Sequence, residues 1–148
     1  MPIGTNDSVI KVATAVALET AGGAIANNTI LAATTAYDVS ANANAPHVDA
    51  VLAVTFAVAP TVNTTLDLYA AEQNIKSTND EQAPTTTYKP KYIGSFTVNA
   101  VTTPQYISKF FRNVPRNAIY SLLNNGTGQS VSAGWTLDFI PRTIGPSP

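Results

Sequence analysis

The strongest constraint on what this chain can fold into is the run SLLNNGTGQSVSAGWTLDFIP over residues 121–141. In an extended backbone Ala133, Trp135, Leu137 and Phe139 share one face, and Thr136 and Asp138 share the other. Alternation with a period of two fits a half-buried strand and does not fit the 3.6-residue period of a helix. The pattern turns the single Trp toward a core and Thr136 and Asp138 toward water. Just before it, Asn124-Asn125-Gly126-Thr127-Gly128 gathers residues that tolerate positive φ. That turn predicts a hairpin joining residues 118–123 to residues 131–140. Gly134 beside Trp135 predicts a bulge or a close backbone approach. Pro141, with no N–H for a ladder, predicts the end of the strand.

The same kind of signal recurs upstream. Residues 48–58 are the most apolar stretch. Leu52, Val54, Phe56 and Val58 lie on one face and Val51, Ala53, Thr55 and Ala57 on the other, which predicts a central strand covered on both sides, closed by Pro60. Residues 64–70 alternate, with Leu66, Leu68 and Ala70 inward and Thr65, Asp67 and Tyr69 outward. Residues 91–98 place Tyr92, Phe96 and Val98 together. Residues 106–111 follow Pro104, which suits an edge strand. Residues 29–39 read as a strand with a small-residue face. Residues 8–18 contain enough Ala for a helix, yet Val9, Ile10, Val12, Thr14 and Val16 favour a strand. Residues 74–87 show no period, and an uninterrupted loop of this length tends to be functional or mobile. About eight short strands separated by turns, without a clear helix, predict one all-β domain over residues 1–148, an antiparallel β-sandwich or jelly roll. Its expected core contains Trp135, Leu137, Phe139, Leu52, Val54, Phe56, Leu66, Leu68 and Phe96. Residues 1–8 are expected as an extended N-terminal arm and residues 142–148 as an extended C-terminal tail.

Composition narrows the function classes. A chain of 148 residues can bury a core without staples, and this one has no Cys for disulfides or thiolate chemistry. Charged residues make up only 11%, well under the usual ~25%. Thr, Asn, Ala and Val take their place, as suits a surface that meets other protein. The net charge of −1 argues against a nucleic-acid footprint. No apolar run approaches a membrane span, and the opening MPIGTNDS lacks the regions of a signal peptide. Charge is uneven along the chain: residues 1–75 carry one Lys against six acids, and residues 76–148 carry seven Lys and Arg against three. Either strands of the two halves interleave and the asymmetry vanishes in space, or acidic and basic faces help subunits pack.

Residue chemistry nominates no catalytic, cofactor-binding or metal residue. His47 is the only His; with Asp49 and a distant Ser it could form a triad, but it reads as an ordinary surface side chain beside Pro46. One His and no Cys argue against zinc. Asn79-Asp80-Glu81 has donors for calcium but reads as a solvated loop. Lys109, Phe110, Phe111, Arg112 and Arg116 mix basic and aromatic groups; packing of the two Phe on opposite faces is the simplest reading, and a protein-contact patch is the functional one. The sequons at Asn6, Asn27, Asn63 and Asn125 are expected by accident in so Asn- and Thr-rich a chain.

The segments PIGTNDSVIKVATAVAL, TTAYDVSANANAP, NTTLDLYAAEQNI, YIGSFTVNAVTTPQYI and NNGTGQSVSAGWTLDFIP together resemble small virion proteins of tailed bacteriophages, and more narrowly their jelly-roll cement or decoration proteins. The resemblance lies in texture and segment order across most of the chain. It implies a β-sandwich with no enzymatic activity and no cofactor. It further implies a homo-oligomer, dimer or trimer, that binds the major capsid protein on the capsid surface of the virion after synthesis in the host cytoplasm. The low net charge and the short apolar runs argue against a nucleic-acid or membrane partner. The alternative is a carbohydrate-binding module associated with a phage tail or fibre, for which Asn63, Asp67 and Tyr69 would form one outward face.

Overall fold

The computed structural model describes residues 8–146. Ten strands make up its regular structure: β1 (Ser8–Val12), β2 (Val16–Gly22), β3 (Ile30–Ala32), β4 (Tyr37–Asp38), β5 (His47–Val54), β6 (Thr65–Glu72), β7 (Tyr92–Thr97), β8 (Gln105–Phe111), β9 (Asn117–Asn125) and β10 (Trp135–Pro146). All pairings are antiparallel. One sheet runs β1 and β2 together, then β10, β5 and β8; the other runs β3 and β4 together, then β9, β6 and β7. Two of the expected eight strands are each broken in two, over residues 8–22 and 30–38. Counting each as one, the chain crosses between sheets at nearly every step, and β6 and β7 are the only consecutive strands that pair among the described residues. That winding is a jelly roll.

Every expected core residue is buried, and the core between the sheets is rich in aromatics. Phe139 packs edge-on against both Tyr37 and Tyr120, with ring centroids 5.3 and 4.7 Å apart. Phe96 meets Phe111 in the same manner at 5.9 Å. The Trp135 ring lies flat over Gly22, where any Cβ would come within 2.1 Å of it, and its Nε1 donates to the carbonyl of Gly23 at 2.8 Å. Close approach is therefore the role of Gly22. Gly134 is needed for its φ of +94°, and irregular pairing between β10 and β2 follows directly after it.

Several expectations change. β9 and β10 lie in opposite sheets, so residues 126–134 form a crossing and no hairpin, and Ala133 is exposed. The crossing is held from within. Thr127 is fully buried and donates to Asn124 Oδ1, while Asn124 Nδ2 donates to the carbonyls of Ile25 and Gln129. Val131 then bridges Ile25 and Phe56. Pro141 does not end β10. Its carbonyl accepts from Ala13 N–H, so its missing N–H faces the gap between β1 and β2, where no ladder bond is lost. Tyr92 turns outward, away from Phe96, because a bulge opposite residues 68–69 shifts its register by one. Val58 lies beyond β5 and is exposed. β5 alternates buried and half-buried residues, and the strand buried on both faces is β6. The segment from β6 to β7 folds over its outer side, bringing Pro84 to a small cavity lined by Ala71, Ile119 and Ser121. β8 is an edge strand, as Pro104 predicts.

Candidate interaction surface

β10 is longer than its neighbours. Its pairing with β5 stops at Arg142–His47, and from there to Pro146 it pairs with β1 alone. Residues 142–146 are therefore a strand and not the free tail expected, and Ser8 begins β1. Residues 1–7 of the expected arm, and residues 147–148, lie outside the described residues. The result is a two-stranded ribbon that runs past the end of the sheet, with Ile10 65%, Val12 60% and Ile144 71% exposed. Such a ribbon is marginal in water without a third partner. The β1 half falls within the strand expected over residues 8–18, whereas the β10 half reads as a tail; only the pairing of the two ends reveals the ribbon.

The outer face of the same sheet continues this surface. Phe110 and Tyr106 stand on edge strand β8, 45% and 77% exposed. A groove of about 680 Å³ separates Phe110 from Ile10 and Ile144, with His47, Asp49 and Arg142 between them. Asp49 pairs with Arg142, and His47 Nδ1 accepts the Asn113 N–H at 3.3 Å. Arg112 and Arg142 both lie against the Phe110 ring, 5.7 and 5.8 Å from its centroid. The Asp49 carboxylate is taken by an arginine, so His47 and Asp49 do not form a relay.

The expected basic and aromatic cluster is thus divided. Phe110 and Arg112 reach the groove, whereas Phe111 is buried in the core above Gly94. Lys109 pairs with Ala50 and so takes an inward-facing register on an edge strand, where a charge discourages pairing with a foreign strand. Arg116 lies just before β9 of the other sheet, where its carbonyl accepts from Val39 N–H.

The remaining candidates are structural. Asp80 accepts the Asn74 N–H at 2.9 Å, and Glu81 accepts the Glu72 N–H at 3.0 Å and Lys91 Nζ at 2.8 Å. Lys91 also holds Glu72 at 2.6 Å. The Lys91 hydrogen bond is the chief reason that the Glu81 carboxyl lies below its usual range, and the bond to Glu72 is the chief reason that the Lys91 ammonium lies above its own. This latch ties down the segment after β6. Among the described residues no three His, Asp or Glu side chains converge as metal ligands would. Asp67 and Tyr69 do face outward but are 6% and 8% exposed. Asp67 accepts from Ser95 and Asn125, and Tyr69 packs against Tyr92. No known family, curated protein or solved structure matches the chain.

Proposed function

We propose that this chain is a structural virion protein, a cement or decoration protein that binds the major capsid protein shell of a tailed bacteriophage as a homo-oligomer. The observation that carries the reading is the terminal ribbon. It spends three large aliphatic side chains on solvent at the end of an otherwise well-buried sandwich. An exposed apolar surface of this kind, faced across the groove by Phe110 and, farther along β8, by Tyr106, marks a protein contact. The sequence resemblance supplies the partner, and the jelly-roll winding agrees with it; the fold by itself hosts many functions. No residue has to perform chemistry in this reading. The test is mass spectrometry of purified particles of the encoding phage. The chain is expected in a copy number commensurate with the shell. Its absence from the particles would overturn the proposal.

A further inference from the structure

We infer that the groove beside Phe110 takes an extended peptide segment of the partner protein, one that presents a carboxylate between aliphatic side chains. The inference rests on the reading of this face as the docking surface and adds the chemistry of what docks. The charge balance of the groove points to it. Two guanidiniums line the space against a single carboxylate, Asp49, which is already committed to Arg142. Arg112 has no acidic partner among the described residues. Both guanidiniums are held against one ring, so little of their freedom remains to be lost on binding. A carboxylate is the planar anion that a guanidinium pairs with in two parallel hydrogen bonds. On the opposite wall Ile10 and Ile144 present aliphatic side chains beside Thr143 and ask for aliphatic neighbours to that acid. The volume of about 680 Å³ suits a few residues of peptide. Asp49 within the groove and the overall charge of −1 disfavour a polyanion such as nucleic acid.

The experiment titrates the isotope-labelled full chain with a capped peptide of alternating Val and Glu, with its Gln counterpart, and with short oligothymidylate, following amide resonances. The expected result is saturable shifts at Ile10, His47, Phe110, Arg112 and Ile144 with the Glu peptide. R112Q and the Glu-to-Gln peptide change should each weaken binding about tenfold, the scale of one charge-assisted hydrogen bond. Arg112 is exposed, so R112Q is expected to melt as the parent does. Equal binding of the Gln peptide, shifts elsewhere, or preference for the oligothymidylate would overturn the inference. Co-sedimentation of the parent and R112Q with purified shells separates the two readings. Peptide binding without shell binding would sink the shell and leave the groove chemistry. Shell binding unaffected by R112Q, with no peptide bound, would sink the groove chemistry alone.

Discussion

Trp135 sits where the alternation in residues 135–139 places it, and Gly22, more than a hundred residues earlier, is the position that makes room for it. Trp135→Ala should cost about 3–5 kcal/mol in denaturant unfolding; a loss of under about 1 kcal/mol would mean that the ring is not a core element. Gly22→Ala should cost about 1–3 kcal/mol by overpacking the same ring. The alternation announced Trp135, but nothing local announced Gly22, because its constraint comes from a side chain distant in sequence. Two core phenols make a sharper contrast. Tyr37 donates to the Ala45 carbonyl at 2.9 Å, whereas the buried Tyr120 hydroxyl has no partner. Tyr37→Phe should lose about 1 kcal/mol, and Tyr120→Phe should leave stability unchanged or raise it. Burial raises both phenols, Tyr37 to about 12. The folded state holds these protons more tightly than the unfolded chain does. Their contribution to stability is therefore complete below about pH 10 and lost as pH rises toward 12 and beyond. Unfolding measured across that range should show the loss, and Tyr120→Phe should reduce it.

The elements were legible where alternation was long and illegible where it was broken. β5, β6 and β10 carry at least four alternating residues each, and their inward faces are as read. β3 and β4 were read as one strand because the interruption at Thr34 is enforced from outside. Glu19 is 5% exposed, and its carboxylate accepts the N–H groups of Thr20, Ala21 and Thr34. It thus ties the end of the second sheet to β2 in the first. Glu19→Ala should cost about 1–3 kcal/mol by removing three part-buried hydrogen bonds to the backbone, with the fastest added hydrogen exchange at Thr34; unchanged exchange there would remove Glu19 from this role. The C-terminal half of the ribbon is the other element that no local signal carried. The Pro and Gly content of residues 141–148 reads as a free tail, but β1 supplies the missing strand. Deleting residues 143–148 should therefore expose β1 amides to exchange while the core unfolds with nearly the same midpoint, because β10 keeps its pairing with β2 and β5. Persistent protection of β1 after the deletion would contradict the pairing.

At the scale of the molecule, the charge asymmetry along the chain finds its explanation in topology. Every strand pairing joins a strand from the acidic residues 1–75 to one from the basic residues 76–148. The jelly roll thus mixes the two halves, and Asp49–Arg142 and Glu72–Lys91 are ion pairs across that division. The fold class was readable because eight alternating segments without helical period leave few architectures open; the winding order was not, because pairing partners lie far apart in sequence. The groove was half readable. Phe110 and Arg112 stood out as a basic and aromatic pair, but Ile10, Arg142 and Ile144 reach them only through the ends of the chain. We propose that the outer face of the β1–β10–β5–β8 sheet, with its ribbon, meets the shell. Hydrogen exchange of the protein bound to purified shells, compared with the free protein, tests it most directly. Added protection is expected in Ser8–Val12, Gln105–Phe111 and residues 142–146, with the outer side of β6 and β7 unchanged. Added protection confined to β6, β7 and the segment between them would contradict it.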